Sequence, residues 1–229
     1  MRWYSEERKF LFSNFQYYCA LEDKRLPGFP KYSSFDAESI LKKIYLPGDE
    51  SFTISSSSRK TENFVNYQEA TQYWIKAMNR LPFYEKNGVL SPPAHGRTIY
   101  FSQEKDAYIA CLVMNSSLFY VYFNIFSDCY HLGDSLVKSF PVHTSLKGDK
   151  EVPRLISNLM DDLEERSNIQ EIKTSKGDEI RYALYTYSDS KAITDKIDHL
   201  LAEQYGFTDI ETDFIANYDI KYRMSLSSS

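Results

Sequence analysis

The 229-residue chain has only three cysteines and no run of roughly 20 apolar residues free of polar interruption. No segment is therefore expected to span a bilayer. Cys19, Cys111 and Cys129 are odd in number and offer no close metal-ligand pair; Cys129 and His131 stand two apart without further ligands at suitable spacing. The opening MRWYSEERKF is charged and carries no apolar signal segment, so reduced thiols in a cytoplasm are expected. A basic excess is missing too. The net charge of −5 argues against a strong autonomous nucleic-acid binder, which needs clustered Lys and Arg. Residues 1–100 hold 14 Lys and Arg against 11 Asp and Glu, whereas residues 101–229 hold 13 against 21. That split suits a module that reads bases while a larger partner supplies phosphate contacts.

Apolar material is plentiful, at 42% hydrophobic and 16% aromatic residues, enough for a sizeable core in one generous domain or two small ones. It is densest over Thr98–Val142. Thr98–Phe101 reads as a short strand. From Asp106 to Phe126 the residues are apolar almost all round; Ala107, Ala110, Leu112 and Met114 favour a helix to about Asn115, which Asn115-Ser116-Ser117 would break or cap. The aromatic run Phe119–Phe126 suits a second helix or a strand.

The remaining segments punctuate themselves. Residues 1–26 have helical spacing, ended by Pro27-Gly28, and Phe35–Tyr45 is an amphipathic helix opened by Ser34 or Asp36. Phe52-Thr53-Ile54 reads as an edge strand, Glu69–Arg80 as a helix with Trp74 in the core, and residues 82–97 as a Pro- and Gly-rich loop. Asp128–Gly133 is a polar turn and Ser135–Val142 a strand-like element. Glu151–Ile169 shows the clearest three-four periodicity and is expected to pack on the apolar centre. Ser190 caps a helix that Gly206 stops, and Thr208 with Glu211 forms a capping-box pattern for a last helix. The fold class is α+β: a mixed sheet with a buried helix, flanked by helical N- and C-terminal parts. The expected divisions are 1–80, mainly helical, 81–150, a mixed recognition core, and 151–226, helical, or else one continuous domain.

Candidate contact residues lie on loops. Arg59-Lys60 tips a Ser-rich loop, and adjacent cations on such a loop suit a nucleic-acid backbone. His95 and Arg97 flank Gly96 after Ser91-Pro92-Pro93-Ala94. That tetrapeptide approaches the catalytic motif of amino-methyltransferases but ends in Ala94, which cannot stack on a flipped base. Glu171-Ile172-Lys173 with Asp162 faintly resembles a restriction-nuclease cluster, but Asp162 falls inside a helix. A Gly-rich adenosyl-cofactor turn and a phosphate-binding G-x-x-x-x-G-K-[ST] loop are both lacking.

The segment SKAITDKIDHLLAEQYGFTDIETDFIANYDIKYR, Ser190–Arg223, resembles the extreme C-terminus of adenine-specific type IIG restriction-modification enzymes and related DNA methyltransferases, with its Tyr-Gly-Phe-Thr turn and Phe-Ile-x-x-Tyr-Asp run. Leu112–Pro141 and Tyr67–Phe83 are similar to parts of the target-recognition region of those proteins. The resemblance implies a fragment that chooses the DNA sequence, with no catalytic residues and no cofactor of its own; S-adenosylmethionine and Mg are implied for the parent methyltransferase and endonuclease. Its expected partners are double-stranded DNA and methyltransferase or nuclease domains or subunits, with no membrane. Base-reading candidates are Arg59, Lys60, His95, Arg97, Asn115 and His131, since Arg and Lys suit guanine and Asn suits adenine. The alternative is a scaffold module whose acidic helices, 151–169 and 191–218, dock a methyltransferase or nuclease subunit.

Overall fold

The centre of the protein is two consecutive helices that meet at 72° across a single break at Ser116. A computed structural model describes residues 21–31, 34–45, 50–71, 73–93 and 95–224. The helix expected over residues 1–26 falls mostly outside them, and residues 21–26 are loop and turn. In chain order the elements are α1 (Phe35–Ile44), β1 (Ser51–Thr53), β2 (Phe64–Gln68), β3 (Tyr84–Lys86), β4 (Val89–Leu90), β5 (Gly96–Tyr100), α2 (Glu104–Asn115), α3 (Ser117–Phe126), α4 (Asp134–Ser139), β6 (Pro141–His143), a 3₁₀ turn (Thr144–Gly148), α5 (Glu151–Arg166), β7 (Asn168–Lys173), β8 (Glu179–Leu184), α6 (Tyr187–Tyr205), α7 (Asp209–Asn217) and α8 (Ile220–Arg223).

Ser116 explains the break. Its extended backbone ends α2, and its hydroxyl accepts from the Phe119 amide, satisfying one of the donors left open at the start of α3. The aromatic run is thus a helix. Both helices are apolar on nearly every side because every side is covered: Phe119, Tyr122 and Phe123 are almost wholly buried, and Phe140 packs edge-on against Phe119 and Tyr122. α5 lays Leu155, Ile156, Leu159 and Leu163 on this centre, as its periodicity predicts. No single helix among the described residues is long and apolar enough to cross a membrane.

The α+β class holds, and the strands form small antiparallel sheets rather than one mixed sheet. β1 pairs with β6, β2 with β5, and a four-stranded sheet runs in the order β4-β3-β8-β7. Five local expectations change. Glu69–Arg80 is not a helix: Asn66 and Met78 exchange backbone hydrogen bonds at 2.7 and 2.8 Å, and Lys76 has a left-handed φ of 53°, so Trp74, Ile75, Ala77 and Met78 reach the core along an irregular path. The loop before Arg97 contains a hairpin, turned by Asn87-Gly88 with φ of 52° and 79°. Ser135–Val142 begins as the short helix α4 and becomes strand only at Pro141. The α5 helix stops at Arg166, beyond which β7 starts, and α6 starts at Tyr187, so Ser190 is a buried interior residue whose hydroxyl donates to Asp162 at 2.7 Å. The Thr208–Glu211 capping box and the left-handed Gly206 stop form as expected.

Candidate nucleic-acid interface

Alternation along β3, β7 and β8 gives the four-stranded sheet two unlike faces. On one, Arg181 donates to Glu171 at 2.9 Å and to Glu85 at 3.2 Å, a charge cluster open to water. The other presents Tyr84 directly opposite Tyr182, and Ile172 opposite Ile180. This apolar face is not buried in the core. It walls a cleft of about 400 Å³, with Ile172 still 48% exposed.

The facing wall comes from β2, the start of β5 and the irregular strand after Tyr73, and contributes Asn66, Gln68, Lys76 and His95. Asn66 holds that wall together by donating Nδ2 to the Arg97 carbonyl and the Thr98 hydroxyl, both at 3.1 Å. Gly96 permits the approach, since a Cβ there would meet Asn66 Nδ2 and the Pro93 carbonyl at 3.3 Å. Lys76 is half-buried, and burial holds its ammonium below the ordinary lysine range. It has no carboxylate partner among the described residues, whereas Lys86 pairs with Asp178, Arg80 with Glu164 and Arg97 with Glu69.

The expected contact residues separate into three groups. Arg59 and Lys60 are exposed loop cations, shaped by the Ser57 hydroxyl, which donates to the Arg59 carbonyl at 3.0 Å. The bridge from Ser57 to Tyr100 sets this loop at one end of β5, roughly 13 Å along the strand from the cleft at Gly96. His95, Arg97 and His131 gather at the Gly96 end. His95 is exposed and lines the cleft. Arg97 points to the other side, where it bonds Glu69 at 2.5 Å and approaches Asp134 at 3.5 Å, so its charge is spent internally. The same hydrogen bond lowers the Glu69 carboxyl below its usual range. His131 is exposed, with Nδ1 2.7 Å from Asp128, whose carboxyl is held down to about 2 by that bond and by backbone amides.

Asn115 forms the third group and leaves the contact set. It is fully buried; its Nδ2 donates to the carbonyls of Ala77 and Cys111 at 2.7 and 2.8 Å, and its Oδ1 accepts from the Ala77 amide at 3.2 Å. It ties the irregular strand to α2 and cannot meet a base.

Sequence reasoning missed Lys76, Gln68, Tyr84 and Tyr182. Asn-Gly at 87–88 is the hairpin signal that reveals β3 and hence Tyr84, and alternation of Ile180, Tyr182 and Leu184 marks the apolar face of β8. Nothing local marks Lys76, because lysine has no preference for left-handed backbone. All named strand pairs among the described residues are antiparallel, so these residues form no parallel strand-to-helix turn of the kind that cradles a nucleotide cofactor. No group of three or more His, Cys, Asp or Glu among the described residues is arranged to hold a metal such as Mg. Comparison of the chain with known protein families, with curated proteins and with solved structures finds no match.

Proposed function

We propose that the chain is a DNA target-recognition module of a restriction-modification enzyme, choosing the sequence on which methyltransferase or nuclease domains act. The observation that carries this is the cleft, lined by an ammonium with no carboxylate partner among the described residues, by amide and imidazole side chains and by two tyrosines. Such a surface offers hydrogen-bonding groups to base edges and positive charge to phosphate. Arg59 and Lys60 add exposed cations on the flank. The resemblance of Ser190–Arg223 to the end of type IIG enzymes supports the same reading. Its helices α6, α7 and α8 serve as the scaffold of the core here, which leaves the cleft and loops for DNA.

The test is fluorescence-anisotropy binding of a randomised duplex pool, followed by enrichment of the bound fraction, at two salt concentrations. Sequence-selective binding is expected, with the Arg59→Ala/Lys60→Ala variant reducing the slope of log affinity against log salt by about 2. Absence of both enrichment and salt-dependent binding would overturn the reading. The alternative is a scaffold whose acidic C-terminal helices dock a catalytic subunit, and α7 carries Ile210, 73% exposed, between Asp209 and Glu211 on that segment. That scaffold role predicts co-elution with a methyltransferase subunit, lost in Ile210→Asp, without DNA binding by this chain.

A further inference from the structure

The cleft differs from a plain apolar groove in where it puts its one uncompensated charge. Lys76 sits on a left-handed backbone, which costs a non-glycine residue strain, and its neighbour Ala77 is pinned at both amide and carbonyl by Asn115. Strain retained at a cleft residue is a mark of function, as glycine would relieve it. A half-buried ammonium lacking a carboxylate is also disfavoured until an anion arrives. Tyr84 and Tyr182 are cross-strand neighbours on one sheet face, and both line the same cleft as Lys76.

An aromatic wall and a lone cation together select a ligand with a planar ring and an attached anionic group. The cleft volume of about 400 Å³ falls in the roughly 300–1,000 Å³ range of small-molecule sites. A paired duplex is too wide to enter; a nucleotide outside the stack is not. We infer that the cleft receives a single nucleotide drawn out of the DNA stack, with its base against the Tyr84–Tyr182 face and its phosphate on the Lys76 ammonium. His95 and Gln68 stand at the same wall to hydrogen-bond the base edge. This rests on the DNA-recognition reading and names the ligand of its cleft.

The experiment compares two fluorescent hairpin DNAs, one fully paired and one with a single extrahelical adenine, titrated with the full chain at constant low salt. The wild type should bind the bulged hairpin about tenfold more tightly than the paired one, in the range that aromatic stacking of one base supplies. Lys76→Gly should lose that preference and Tyr182→Leu should reduce it, whereas Arg59→Ala/Lys60→Ala, outside the cleft, should weaken both hairpins alike and keep the preference. Lys76→Gly removes the left-handed strain, so a melting temperature no lower than wild type separates lost contact from lost fold. Equal affinity for the two hairpins, or a preference that persists in Lys76→Gly, would overturn the nucleotide site. If the paired hairpin binds and no bulge preference appears, only this inference fails. If neither hairpin binds, DNA recognition fails with it.

Discussion

The Arg223 guanidinium lies 3.9 Å from the centre of the Tyr187 ring, in an environment that leaves Arg223 only 3% exposed. Tyr120 stands 4.9 Å away, Nη1 donates to the Ser117 hydroxyl at 2.9 Å, and Nε donates to the Tyr73 carbonyl at 3.2 Å. One side chain thus links α8 to the start of α3, to α6 and to the irregular strand that carries Lys76. Arg223→Met should cost about 3–5 kcal/mol, because it strips a planar cation from a buried polar cluster and leaves Asp198 without its nearest positive charge. Arg223→Lys should recover little, since an ammonium cannot reproduce the forked donors. Urea unfolding monitored by circular dichroism reads both; a loss below about 1 kcal/mol in Arg223→Met would show the cluster to be incidental.

Asp198 makes the same cluster sensitive to pH. Its Oδ1 accepts from the Ser117 amide at 2.7 Å, while Oδ2 has no hydrogen-bond partner among the described residues. Burial pushes its carboxyl up to about 6, against the lowering effects of Ser117 and Arg223. The folded protein therefore holds a proton between about pH 4 and 6 that the unfolded chain has released. The stability from this group is fully present below about pH 4 and is lost as pH rises through 6, by about 3 kcal/mol. Glu211 acts oppositely: burial would raise it, but Lys43 at 2.5 Å, the Thr208 amide and Ser39 bring its carboxyl down to about 2, so its contribution is lost on acidification. The difference between wild type and Asp198→Asn isolates the first effect. Asp198→Asn should gain on wild type as pH goes from 4 to 7, and parallel profiles would refute the assignment.

Asn115→Ala should destabilise by about 2 kcal/mol, as the Ala77 amide loses its side-chain partner in the core and the Ala77 carbonyl keeps only the weaker Cys111 thiol at 3.3 Å, at roughly 1–3 kcal/mol for a group left unsatisfied. The bases it prefers, measured under conditions where the variant stays folded, should be those of wild type, because no atom of Asn115 reaches the surface. A selective change in the bases preferred, with stability intact, would return Asn115 to the recognition set.

Where a segment's own chemistry decides its shape, the sequence is legible. Ser34, Ser116, Thr208 and Gly206 each start or stop a helix by satisfying its open backbone groups, and α5 shows its buried stripe in plain periodicity. Legibility fails at residues 69–80. There the spacing of Tyr73, Trp74, Ala77 and Met78 fits a helix, but backbone bonds between Asn66 and Met78 and the clamp of Asn115 on Ala77 override it. Those partners lie 12 and 38 residues away, beyond any local pattern. The candidate site suffers most, since its two walls come from β2 and β5 on one side and β3 and β8 on the other. Of the six residues singled out for DNA contact, His95 is among the described residues that line the cleft, and Arg59 and Lys60 flank it as exposed cations.

Lys76 gives the sharpest forecast, because substitution there should weaken ligand binding without weakening the fold. Glycine removes left-handed strain of roughly 1–2 kcal/mol and the burial of an unpaired ammonium, and costs about 1 kcal/mol in added freedom of the unfolded chain. At pH 7 the urea midpoint of Lys76→Gly should therefore equal or exceed that of wild type. Burial lowers the lysine in the folded state, so between that lowered value and the ordinary value of about 10.4 the unfolded chain binds more protons. Wild-type stability relative to Lys76→Gly should then rise with pH through that window, and the two midpoints should converge as pH rises. Binding of the bulged hairpin should move the other way, weakening as Lys76 loses its proton. Opposite pH trends in folding and in DNA affinity, both abolished by Lys76→Gly, would tie them to one ammonium; a lower midpoint for Lys76→Gly at pH 7 would instead mean that Lys76 supports the fold.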